Sequence, residues 1–250
     1  MKQITQTQKL ADILHDNYLL IPVINRFGIR LGFGEKTVGA VCAERAIDPE
    51  FFIAVLNAFG CENYAPAKKL RPQHVPMIVA YLRRTHAYYR RSQVPTIERS
   101  IGLLIRSASR SGTDLSIVKD FFREYKTELF HHLKREETVT FPYIETVSAQ
   151  FNGSPAPHPS KLPDSETYSM RIYGMEHTNM DEKLNDLKNI LIKYITGDFD
   201  ETVCNAIVFE LFRLEKDLQD HTRIEDHILR PLVAGMEAQL GRQKSGRRIR

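Results

Sequence analysis

The chain has 250 residues, 42% of them hydrophobic, enough to bury a sizeable core as one large domain or a small domain plus a medium one. Its 35 basic and 31 acidic residues leave a formal net charge of +4, too balanced for a nucleic-acid-binding face spread over the whole protein. There is no apolar h-region at the N-terminus and no run of about 18 apolar residues to cross a membrane. Three widely spaced cysteines, Cys42, Cys61 and Cys204, fit free thiols in a reducing cytoplasm.

Helical periodicity dominates the chain. Residues 5–15 predict a first helix, and NYLLIPVINRF follows as an apolar segment broken by Pro22. After the glycine-rich turn FGIRLGFGEK, Thr37 is an N-cap candidate. Asp48 and Pro49 then open a helix that ends at Gly60. Residues 1–62 thus read as a small helical module and 63–72 as a linker. From residue 73, QHVPMIVAYLRRTHAYYRRSQ is an amphipathic helix ended or kinked before Pro95, and TIERSIGLLIRSA continues helically. A long helix is expected over 113–140, capped by Thr113 and Asp114 and stopped at Phe141-Pro142. Four prolines in residues 150–165 make a loop. A third long helix covers 166–196 and stops at Gly197. A fourth, capped by Asp198 or Asp200, runs to about Leu229 before Pro231 and resumes to Leu240. The expected fold is all-α: an up-down four-helix bundle over 73–240, preceded by the small module and followed by a basic flexible tail, 241–250.

Two segments echo each other, HHLKREETVTFP (131–142) and HTRIEDHILRP (221–231). On a helix, residues i and i+4 share a face. His132 therefore lines up with Glu136, and His221 with Glu225, while His131 and Glu137 are rotated off that line. One such pair is most simply a surface pair. Two pairs on two long helices, each closed by a proline, point to halves of one metal site. His86 on the first long helix and His177 on the third would complete the donor set if kinks and loop lengths bring the four helices' residues to one level. Four imidazoles and two carboxylates are too many for one tetrahedral zinc. They suit two octahedral ions bridged by the carboxylates, and the mixed nitrogen and oxygen donors point to iron or manganese.

These residues resemble the haemerythrin-like domain of the iron-sulfur cluster repair di-iron proteins. The shared pattern is His86, then His132-x-x-x-Glu136-Glu137 running to Phe141-Pro142, then Glu176-His177, then His221-x-x-x-Glu225, over about residues 73–235. Arg230 departs from it, standing where the family often carries Phe. The resemblance implies two non-haem iron ions, oxo- or hydroxo-bridged, with Glu136 and Glu225 bridging. It implies protection or repair of iron centres under nitrosative or oxidative stress, with oxygen or nitric oxide as small ligands and damaged iron-sulfur proteins as partners. Sensing of oxygen or nitric oxide through the same site is the alternative. Ferritin-like bundles use two Glu-x-x-His motifs, and the long helices here show one, Glu128 to His131. Oxygen-carrying haemerythrins place a second His where this chain has Asp181, and an Asp where it has Asp226. The leading module also resembles that of the family, but Leu31-Gly32-Phe33-Gly34 replaces its adjacent cysteine pair. This leaves the module for docking or for homodimer formation. Glu176 is a candidate to support the metal ligands or line an access path. Tyr88, Tyr89, Tyr143 and Tyr173 are candidates to reach a metal-bound oxygen. His74 and His158 are expected in solvent, and His15 and His227 at surface or capping positions.

Overall fold

The computed structural model describes residues 3–60, 64, 70–110, 112–155, 169–170 and 180–248, without the side chains of 180, 181 and 244–248. Every named element among them is helical, and the bridge between Lys9 and Thr37 is isolated. In chain order the α-helices are α1 (Leu10–Asp16), α2 (Leu20–Arg26), α3 (Val38–Arg45), α4 (Pro49–Gly60), α5 (Val75–Tyr88), α6 (Val94–Arg110), α7 (Ser116–Arg135), α8 (Phe141–Phe151), α9 (Met180–Asn189), α10 (Glu201–Ile224) and α11 (Arg230–Arg248). Four π-helical turns intervene: π1 (Tyr89–Gln93), π2 (Glu136–Thr140), π3 (Ile190–Tyr194) and π4 (Glu225–Leu229).

The helix starts follow local capping chemistry. The Thr37 hydroxyl accepts from the Ala40 N–H at 3.2 Å, and Asp48 accepts from the Phe51 N–H at 2.9 Å. Asp200 accepts from the Val203 N–H at 3.0 Å and so opens α10. Each satisfies an amide that has no partner within its helix. Pro22 does not break its segment; it sits in the first turn of α2, where a missing N–H costs nothing. The third predicted helix is described from Met180 and ends at Tyr194, before Gly197. Gly197 has φ +99°, and a Cβ there would run into the Thr113 side chain, so glycine is required.

The chain divides into two compact units. The first comprises Met1–Thr85, Thr138–Glu176 and Asp220–Arg250. Its core joins the leading helices (Leu20, Ile24, Phe52, Val55) to Ile78 and Leu82 of α5, Phe141 and Ile144 of α8, and Ile224, Ile228 and Leu229. Tyr64 and Leu70, from the expected linker, are buried in this core; the rest of 63–69 lies outside the described residues. Asn57 ties down the N-terminus, accepting from the Ile4 N–H at 2.8 Å and donating to its carbonyl at 3.2 Å. The second unit comprises His86–Glu137 and His177–Gln219. Its core joins Ile97, Ile101 and Leu104 of α6, Phe122, Tyr125 and Leu129 of α7, Leu184 and Leu187 of α9, and Ile207, Leu211 and Leu214 of α10. These residues recur at three- and four-residue spacing, the stripe expected of a helix with one buried face.

The helical path does not stop at Phe141-Pro142 as expected, and it continues past Pro95 and Pro231 as well. Pro95, Pro142 and Pro231 lie in the first turns of α6, α8 and α11, and each is preceded directly by a π turn. In all three cases the proline follows the first residue of the π turn by six positions: Tyr89, Glu136 and Glu225. A proline inside a helix has no N–H to give and clashes with the carbonyl four residues back. Opening one turn to π geometry relieves both faults without ending the helix. The last helix then continues through Arg248.

Candidate metal centre

The π turns place the carboxylates. Glu136 is the first residue of π2 and Glu225 the first of π4, each one turn beyond its histidine, His132 near the end of α7 and His221 near the end of α10. His86 lies in the last turn of α5, just before π1.

His86, Glu136, His221 and Glu225 each offer a ligand atom, and these four atoms all lie within 4.8 Å of one another. All four side chains are buried, with relative exposures of 0, 2, 3 and 0%. The Glu136 carboxylate is flanked on both sides: Oε2 is 3.3 Å from His86 Nε2, and Oε1 is 3.3 Å from His132 Nε2. Glu225 Oε1 is 3.1 Å from His221 Nε2. His132 is more open, its side chain 22% exposed. His131 is exposed, whereas His132 faces Glu136. His177 and Glu176 lie outside the described residues.

The donor set fits a metal. A first-row ion held about 2.1 Å from each donor sets adjacent donors about 3 Å apart and opposite donors about 4.2 Å apart. The paired spacings of 3.1–3.3 Å are close to the adjacent-donor distance, and the 4.8 Å limit of the quartet lies somewhat beyond the opposite-donor one. Two carboxylates and two imidazoles enclosed together are costly unless they pair or coordinate a cation. Burial pushes the Glu136 carboxyl upward, but hydrogen bonds from His132 and His86, together with their charge, outweigh it and hold the group well below the ordinary carboxylate range.

Outside the quartet, Glu137 spans from His86 to Arg90. Its Oε1 is 3.0 Å from His86 Nδ1, and its Oε2 accepts from the Arg90 guanidinium at 3.1 Å. The hydrogen bond to His86 is the main cause holding the Glu137 carboxyl low, and Arg90 adds to it. The i, i+4 rule passes over this residue, since its partner is on a different helix. The adjacent carboxylates of the Glu-Glu pair are the signal in the sequence.

Other candidates resolve differently. The Tyr89 hydroxyl donates to Asp217 at 3.0 Å and that of Tyr143 to Glu237 at 2.6 Å, so both are engaged by carboxylates. Tyr173 and His158 lie outside the described residues. His74, expected in solvent, is fully buried. Its Nδ1 accepts from the Arg71 N–H at 2.9 Å, so it closes the short turn that leads into α5. His15 and His227 are exposed. Burial pushes the Cys42 thiol up to about 11 and raises that of Cys204, so neither is poised as a thiolate.

No family model matches the chain. The chain is similar to the iron-sulfur cluster repair protein ScdA of Staphylococcus haemolyticus (strain JCSC1435), at 18% identity over 227 residues. The match spans 90% of this chain and 97% of that protein. No helix among the described residues is long and apolar enough to cross a membrane.

Proposed function

We propose that the chain is a cytoplasmic non-haem di-iron protein of the haemerythrin-like class, an up-down four-helix bundle that protects or repairs iron centres under nitrosative or oxidative stress. The observation that carries this reading is the buried quartet of His86, Glu136, His221 and Glu225. The full-length similarity to a protein named for iron-sulfur cluster repair supports the same direction. His132 and His177 would complete the donors. Glu136, with a different imidazole against each oxygen, is suited to bridge two ions, and Glu225 would be the second bridge. Bound there, iron would supply redox chemistry and open positions for small ligands such as oxygen or nitric oxide. The protein's own part is to hold the carboxylates ionised and to seal the quartet from water.

One observation favours a second reading, in which the site senses oxygen or nitric oxide. Ile224, Ile228 and Leu229, which surround Glu225 in sequence, are buried in one core with the N-terminal helices. A shift in π4 on ligand binding would be felt by that core.

The test is reactivation of an iron-sulfur enzyme inactivated by nitric oxide. Iron-loaded wild-type protein should restore its activity, and His221→Ala protein carried through the same loading should not. No restoration by the wild type, together with a change in its own oligomeric state on nitric oxide exposure, would replace repair with sensing.

A further inference from the structure

We infer that Glu137, clamped by Arg90, is a positioning residue that fixes the ring of His86 and its tautomer toward the metal site. The inference rests on the metal reading above and adds a residue outside the donor set. His86 and Arg90 are one helical turn apart, on α5 and π1. Glu137 comes from π2 and meets both. The Arg90 guanidinium occupies Oε2 at 3.1 Å, which leaves Oε1 for the imidazole at 3.0 Å.

An ionised carboxylate only accepts hydrogen bonds. His86 Nδ1 must therefore donate to Glu137, and this assigns the Nδ1–H tautomer to the ring once Nε2 is free of its proton. Nε2, 3.3 Å from Glu136 Oε2, carries the proton it gives to that carboxylate in the metal-free cluster, and a bound cation would displace that proton and take the Nε2 lone pair. A carboxylate behind a histidine also raises the basicity of the ligating nitrogen and stops the ring from turning. The Arg90 pair does the same for the carboxylate: a guanidinium on one oxygen restricts rotation of the other. All three side chains lie within one compact unit.

The experiment measures cobalt(II) and ferrous iron binding by wild type, Glu137→Ala, Glu137→Gln and Arg90→Lys, with the cobalt absorption spectrum and the 15N shifts of His86 in the metal-free protein. Glu137→Ala should weaken metal binding about 10- to 100-fold, the range typical of losing such a partner. It should also shift the His86 tautomer away from Nδ1–H, with the melting temperature of the metal-free protein little changed. Glu137→Gln, which can still accept through its carbonyl, should recover part of the affinity and the tautomer; Arg90→Lys should fall between the wild type and Glu137→Ala. If wild type binds metal and folded Glu137→Ala binds it within twofold, with the same tautomer, the positioning role is wrong and the metal site stands. If wild type binds no metal, the metal reading itself fails and the role falls with it.

Discussion

Glu136 shows at the scale of one residue how a site of this kind is held ready. Its carboxyl is buried, which favours the neutral acid, yet the imidazoles of His86 and His132 keep it ionised. A carboxyl whose folded value is depressed adds stability that is present above the ordinary value of 4.5 and is lost as pH falls through the depressed one. The metal-free protein should therefore lose stability below about pH 4.5. Glu136→Gln, which cannot ionise, should show a shallower loss over the same acid range in denaturant titrations. An identical slope in the two proteins would mean that the Glu136 charge contributes nothing to the fold. The pairing itself is legible in the sequence, because four-residue spacing alone selects His132 over His131 and Glu136 over Glu137. The link from Glu137 to His86 is not legible there, since 51 positions separate the two and only packing joins them. The expectation for His74 fails for a related reason: its polarity and its place near a linker say nothing of the turn that encloses it.

At the scale of the elements, three prolines change meaning. Pro142 has the sequence marks of a stop, Pro95 and Pro231 those of a kink or interruption, and each sits just beyond a π turn within a continuing helical path. The sequence rule for proline covers the broken hydrogen bond but not the ways a packed helix can absorb it. In two cases the residue that opens the π turn is a carboxylate of the candidate site, Glu136 or Glu225, so the proline would help to set the direction of a candidate metal donor. Pro142→Ala tests this. Alanine is favoured over proline inside a helix by up to about 3 kcal/mol, so the metal-free variant should melt at the same temperature or higher. Its metal affinity should fall roughly tenfold, because relaxing π2 to α geometry re-aims Glu136. A variant that is neither more stable nor weaker in metal binding would show that the π turn is not set by the proline.

At the scale of the whole molecule, the all-helical class follows from apolar spacing alone, and Thr37, Asp48 and Asp200 are readable as helix starts. What periodicity cannot supply is whether His86, Glu136, His221 and Glu225 reach a common level, because the sequence does not say how helices bend or slide past one another. One ligand atom from each of these four buried side chains lies within 4.8 Å of the others. The N-terminal helices share a core with α8, π4 and the first turns of α5. Their Cys42 thiol is raised to about 11, which sets it apart from a thiolate poised for metal or electron transfer. Among the described residues, the group that could hold a metal ion is the His and Glu cluster.

The most direct measurement is iron stoichiometry on protein purified without oxygen and reconstituted with ferrous iron. About two iron ions per chain are expected, as six donors with bridging carboxylates would hold, with a clear loss for both His132→Ala and Glu225→Ala. Well under one iron per chain after reconstitution, or unchanged iron in those two variants, would contradict the di-iron reading.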